Sequence, residues 1–158
     1  MITRDEIIIR ADPEAIYRAA AEILQWPRLL PHYRRVRVLE HGDDGLRVEM
    51  AARRGWIPVS WIAVQRCAPD RFLVEYRHIG GATRGMGVVW QISPAAGGTR
   101  VVIVHDLTLD TPIVRTWLGK LIIGHGFVHY IAGRTLRALK KHLEEATCAG
   151  QSSPASDR

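Results

Sequence analysis

Four histidines stand where this chain could do acid–base or ligand chemistry. His78 and His105 fall in runs of alternating apolar residues, Phe72, Val74, Tyr76, His78 and Val101, Ile103, His105, Leu107. A period of two places each run on one face of a strand, so both imidazoles point inward with their apolar neighbours. An imidazole in a mostly apolar cavity can take or give a proton near neutral pH. The alternative is a buried ring satisfied by a neighbouring carbonyl or carboxylate. His125 and His129 are four apart and share one face of a helix, a spacing that can also chelate a metal. Gly126 stands where the zinc-protease pattern carries glutamate, and a third ligand would have to come from His105 or Asp106. The expectation is a ligand-facing or solvent-facing pair, with no metal and no cofactor. Arg66 and Arg84 carry the planar cation that pairs with a carboxylate, enolate or phosphate. Arg84 reads as outward and solvated, and for Arg66 both faces stay open. No Ser-His-Asp arrangement, phosphate loop or zinc-finger spacing is present.

The elements that must position these groups are mostly strands. Residues 6–10 form a short strand, and Asp12-Pro13-Glu14 then starts a helix, with aspartate before it and proline at its first position. That helix runs to about residue 24, Trp26-Pro27 breaks it, and residues 28–30 make a second helical turn. From Tyr33 the pattern is strand for about 75 residues. Residues 34–41, a turn at Gly42-Asp43-Asp44-Gly45, then 46–53, 57–67, 72–78, 84–92 and 101–109 make six strands joined by short links, an antiparallel meander. Their inward faces supply Val48, Met50, Val74, Met86, Val88, Ile103 and Leu107, with Tyr76, His78 and His105 as polar members. Trp56, Trp61, Trp90 and Trp117 read first as core, and large aromatics also line cavities. The apolar set with a few donors suits a largely hydrophobic ligand bearing one or two oxygen functions, in a pocket of roughly 300–1,000 Å³.

Residues 112–146 close the chain as one long helix, with Pro112 at its first position. Its first half is apolar nearly all round, and residues 134–145 are amphipathic. Glycine at 119, 124, 126 and 133 costs roughly 1 kcal/mol each against alanine in a helix, which suggests space left for a ligand. Residues 147–158 are small and polar and read as a disordered tail.

With 158 residues, 47% hydrophobic and 24% charged, the chain is one ordinary domain spanning 1–146. The longest uncharged apolar stretch, 121–133, is too short to cross a bilayer, and the charged start has no signal-peptide plan. Cys67 and Cys148 give no disulfide framework, which makes the cytoplasm the expected location. The net charge of +6 comes from 19 arginines and 3 lysines, without the basic helix or aromatic motif of a nucleic-acid binder.

One strand, two short helices, six strands and a glycine-containing helix, with ADPEAIYRAAAEILQWPRLLPHYRRVRVLE at the front, resemble the START-like, birch-pollen-allergen-like (SRPBCC) superfamily. Within it the chain is most similar to the polyketide cyclase/dehydrase group, over about residues 4–145. The resemblance implies an α+β helix-grip fold: a curved antiparallel sheet of about seven strands wrapped around the C-terminal helix. It also implies a pocket for a lipid, sterol, aromatic or polyketide. Aromatase/cyclases of the group set a tryptophan, a tyrosine and an arginine around that pocket, and Trp26, Tyr33 and Arg66 match them. Trp61 and Arg66, five apart, point to opposite faces, which departs from the group's pattern. The functional expectation is a cyclase, aromatase or dehydratase acting on a hydrophobic poly-carbonyl substrate, with Tyr33, Arg66, His78 and His105 as its catalytic set. Trp26, Met50, Tyr76, Met86, Val88, Trp90, Ile103, Trp117, His125 and His129 would contact the ligand. The alternative is a non-catalytic carrier or sensor of a lipid or similar molecule. A hydrophobic small molecule is the partner in both, an acyl carrier protein is a further candidate, and neither nucleic acid nor stable membrane insertion is expected.

Overall fold

The proline and glutamate after Asp12 do start a helix, and the short links after Tyr33 do make a meander. The computed structural model describes residues 1–108 and 126–151. Strand β1 (Ile2–Ile9) leads into α1 (Pro13–Ala21), a 3-10 turn over Ile23–Gln25, and α2 (Trp26–Leu29). Asp12 caps through its backbone alone: its carbonyl accepts from Ile16 N at 3.1 Å and its side chain makes no cap bond. Trp26-Pro27 opens α2 rather than merely ending α1, because proline suits the first helical turn.

Six strands follow: β2 (Tyr33–Gly42), β3 (Gly45–Arg54), β4 (Ile57–Ala68), β5 (Leu73–Gly81), β6 (Gly87–Ala95) and β7 (Gly98–Asp106). Each pairs antiparallel with the next, and β1 adds to the free side of β7, giving the order β1-β7-β6-β5-β4-β3-β2. The sheet is curved, with irregular register in β2 and between Ile62 and Ala63 of β4. Gly81, at φ +79°, is needed there: a Cβ would lie 2.6 Å from Trp61 Cα. Alternation decides which side chains enter. Val48, Met50 and Ala52, then Trp61, Ala63 and Gln65, then Val74, Tyr76 and His78 are all buried on the concave side.

Across that face lies helix α3 (Gly126–Gln151), which buries Phe127, Val128, Ile131, Ala132, Thr135, Leu136 and Leu139. Polar ties hold it along β1. Lys140 Nζ donates to the Ile8 carbonyl at 2.7 Å, Glu144 accepts from Arg10 N at 2.9 Å, and His129 Nδ1 lies 2.8 Å from Asp5 Oδ1. This is the helix-grip arrangement. The helix runs on to Gln151, so residues 147–151 are helical rather than tail, while 109–125, with Trp117, His125, Gly119 and Gly124, lie outside the described residues. Of the four glycines expected to leave space, the two described ones, Gly126 and Gly133, do not open a cavity. A Cβ at Gly126 would meet the Arg54 guanidinium at 2.8 Å, and one at Gly133 would meet Arg137 Nη1 at 3.1 Å.

Candidate functional site

Register builds the site in rows. Gln65, Tyr76, Val88, His105 and Thr3 stand opposite one another on β4, β5, β6, β7 and β1, and Val74, Trp90 and Ile103 form the next row. Facing these rows, Phe127, Ile131 and Thr135 come from one side of α3 at intervals of four. The short helices supply Trp26, and the turn that ends them delivers Tyr33, whose N–H donates to the Leu30 carbonyl at 2.9 Å. Between sheet and helix remains a cavity of about 50 Å³ walled by Trp26, Tyr33, Met50, Trp61, Tyr76, His78, Thr83, Met86, Val88, Trp90, Ile103 and His105 together with the helix residues. That is room for a few waters or one small planar group, well below the volume expected from the pattern of apolar residues. Rings fill the difference. Trp61 and His78 stack at 5.5 Å with 6° between planes, and Trp26 packs on Tyr33 at 4.8 Å, Trp90 at 5.7 Å and Tyr76 at 5.8 Å.

The polar atoms in this wall are few, and most have partners. Trp26 Nε1 donates to the Ala19 carbonyl at 3.0 Å. Gln65 Nε2 donates to Ala21 O at 2.9 Å and to the Tyr76 hydroxyl at 3.0 Å, and that hydroxyl donates to Ala20 O at 3.2 Å. His78 Nδ1 lies 2.6 Å from Thr83 Oγ1. His105 Nδ1 is the exception: it is buried and, among the described residues, has no hydrogen-bond partner. His78 and His105 do not titrate near neutral pH as expected. Burial depresses His78 to about 3, with His105 adding to the effect, and burial depresses His105 to about 4 against the opposing pull of Asp5. Both rings are therefore neutral at pH 7. Burial also holds the Tyr33 and Tyr76 phenols well above their ordinary value, which keeps them protonated and able to donate.

A model of the family described as polyketide cyclase/dehydrase and lipid transport matches residues 9–122. The chain belongs to that family. Over 99 residues, 61% of this chain, it is 28% identical to the actinorhodin polyketide synthase bifunctional cyclase/dehydratase of Streptomyces coelicolor. It spans 31% of that relative's length. A putative polyketide cyclase of Streptomyces cyaneus is 21% identical over 151 residues, 92% of this chain and 95% of the relative. Among solved structures, the Zhui aromatase/cyclase of a Streptomyces species matches with a TM-score of 0.78 at 17% identity, covering 97% of this chain and 99% of that one, a likeness of fold.

Most of the expected site residues of this family member line one cavity: Tyr33, His78 and His105 of the expected catalytic set, and Trp26, Met50, Tyr76, Met86, Val88, Trp90 and Ile103 of the expected ligand contacts. Others do not. Arg66 is on the convex face, where its Nε donates to the Asp44 carbonyl at 2.6 Å, because it is five residues from the inward Trp61. Arg84 is exposed in the turn before β6. His129 is partly buried against Asp5 at the sheet edge and outside the cavity wall. Trp56 is 81% exposed at the tip joining β3 to β4, so it is not core. Trp117 and His125 lie outside the described residues. Among the described residues no group of His, Cys, Asp or Glu is arranged to hold a metal ion. The wall also holds polar residues that the sequence reading passed over: Gln65 behind it, and Thr83 and Thr135 in it. Gln65 was reachable from its phase, four after Trp61 on the same face, and Thr135 from its spacing of four after Ile131. Thr83 sits in a turn, where no period operates.

Proposed function

We propose that the protein is a polyketide cyclase/aromatase-like enzyme, with the cavity between sheet and helix receiving the reacting segment of a hydrophobic poly-carbonyl substrate. The observation that carries this reading is the buried Nδ1 of His105, which has no partner among the described residues, in a wall made mainly of rings and apolar side chains. A buried polar atom without a partner is costly, and a ligand atom is a natural partner for it. The Tyr33 phenol would donate to a substrate carbonyl and stabilise the enolate that forms when the adjacent methylene loses its proton. A neutral imidazole with a depressed proton affinity is a weak base. It suits only a carbon acid already activated by two carbonyls, which is what a poly-β-ketone presents. The enolate carbon would then attack a second carbonyl of the same chain, and loss of water would complete the ring. The small cavity would admit only the reacting segment of the substrate. Family membership and the cyclases among its relatives support the reading, and delivery by an acyl carrier protein belongs to the same proposal.

The test is product analysis. A poly-β-ketone thioester incubated with the protein should give one regular cyclised product, and Tyr33→Phe should lower its yield about 100-fold, the size seen when one oxyanion donor is removed. Product mixtures identical with and without protein would count against the enzyme. The depressed histidines favour a second reading, a non-catalytic carrier of a lipid or other hydrophobic molecule. Saturable binding without turnover would mark it.

A further inference from the structure

Strand phase carries one arginine to the end of the concave face. Val48, Met50 and Ala52 of β3 are buried there, so Arg54, two residues on, points the same way, and it is half-buried. Its guanidinium lies over α3. A Cβ on Gly126 would stand 2.8 Å from Arg54 Nη1, and Arg54 Cζ is 5.6 Å from the centre of the Tyr130 ring. Arg134 reaches the same ring, with Cζ 5.9 Å from its centre and Nη1 donating to the phenol oxygen at 2.7 Å. Gly126, Tyr130 and Arg134 recur at intervals of four, directly beside the cavity-lining stripe of Phe127, Ile131 and Thr135. Both cations therefore stand at the cavity's rim. Elsewhere on β2 and β3 arginines are neutralised: Arg35 and Arg37 pair with Glu49 at 3.4 and 3.0 Å, and Arg47 pairs with Glu40 at 3.1 Å. Among the described residues neither Arg54 nor Arg134 meets a carboxylate, and the Arg54 side chain donates no hydrogen bond. A ring face attracts a cation without neutralising it.

We infer that Arg54, assisted by Arg134, is an anion site at the rim of the cavity. The ligand class that follows is amphiphilic: an aromatic or carbonyl-bearing part enters the cavity, and an oxyanion, carboxylate or phosphate, stays outside on the arginines. The inference deepens the proposed function and rests on its reading of the cavity as the ligand site. Arg54 has its whole planar fork of N–H donors available and can grip two oxygens at once, while Arg134, already tied to Tyr130, adds charge. A ligand held by its charged end enters in one direction only. Arg54 thus decides which segment of the chain is set against Tyr33 and His105, and takes no part in proton transfer.

Calorimetry with 3-benzoylpropionate, an aromatic ketone with a carboxylate on a two-carbon tether, and with its uncharged primary amide tests the site. At low salt the carboxylate should bind about 5- to 20-fold tighter, the value of a charged hydrogen bond discounted for a half-exposed group. Arg54→Gln should abolish that preference and keep the affinity for the amide. Arg134→Gln, a change at an exposed position that tests the rim even if Arg54→Gln fails to fold, should lower the preference about 2-fold. Arg66→Gln on the convex face should leave it intact. The same comparison of 2-phenylethyl phosphate with 2-phenylethanol distinguishes the sources. A larger ratio for phosphate marks a phosphate ester, whether carrier arm or lipid head group, and a larger ratio for carboxylate marks a free acid. Equal affinities for acid and amide in the native chain, or a preference untouched by the rim variants, overturn the inference and leave the cavity reading standing. Binding of neither compound overturns both.

Discussion

Strand β4 presents two different surfaces. On the concave side Trp61, Ala63 and Gln65 are buried, while on the convex side Arg66 and Ser60 are exposed and Ile62 is partly so. The convex side of the sheet also carries the larger hollow, about 700 Å³ bounded by Val64, Arg66, Glu75, Arg77, Val89 and Asp106, against about 50 Å³ inside. Volume alone would put the site outside. The outer hollow is open and edged by solvated charges, where water competes for every polar contact and each ion pair is worth little. The inner space is walled by rings, has room for only a few waters, and holds a buried nitrogen, His105 Nδ1, that has no partner among the described residues. A site is made by dry walls and unmet hydrogen-bonding capacity more than by space.

The contrast predicts unequal costs for substitution, and the largest belongs to Trp26. Its ring touches Tyr33, Tyr76 and Trp90, and its N–H holds α1, so Trp26→Ala should cost about 3–5 kcal/mol in urea unfolding. A loss under about 1 kcal/mol would mean that the ring cluster is loosely packed. Gln65→Leu comes next. It leaves the Ala21 carbonyl unpaired and strips the Tyr76 hydroxyl of one partner, for about 1–3 kcal/mol.

Acid exposes the same difference. His32, His78 and His105 have proton affinities in the fold far below their unfolded value, so the unfolded chain binds more protons between about pH 6.5 and pH 4. Stability is therefore full above pH 6.5 and is lost as pH falls through that window, by about 1.4 kcal/mol per pH unit for each such histidine. Unfolding midpoints measured from pH 7 to 4 should fall, and His78→Gln should flatten the decline. A flat profile in the native chain would mean that the rings are hydrated. The smallest effect belongs to the convex side, where Arg66→Ala should change stability by no more than about 0.5 kcal/mol and leave ligand binding unaltered.

Much of the inner surface was legible because a strand's period is simple. The alternation through Val48, Met50 and Ala52 and through Val74, Tyr76 and His78 fixed the concave face, and the odd separation of Trp61 from Arg66 already set them on opposite sides. Family pattern and strand phase disagreed over Arg66, and phase was right. Other features were closed to this kind of reading. Trp56 sits at a hairpin tip, where hydrophobicity carries no information about burial. His32 lies between α2 and β2, where no period operates, and its hydrogen-bond partner is a threonine 103 positions away. Cavity size depends on how Trp61, His78 and the other rings stack, which residue type does not encode. Gly126 and Gly133 accommodate arginine side chains, not a ligand, and only coordinates distinguish the two uses.

The central claim is that ligand chemistry belongs to the concave side. Benzoylacetone combines an aromatic ring with a methylene between two carbonyls, and titrating it into isotope-labelled protein would read both surfaces at once. Shifts concentrated at Tyr33, Trp61, His78, His105 and Thr135, with Arg66, Arg77 and Val89 unmoved, are the predicted result. Shifts confined to the convex hollow, or none up to the solubility limit of the diketone, would contradict it.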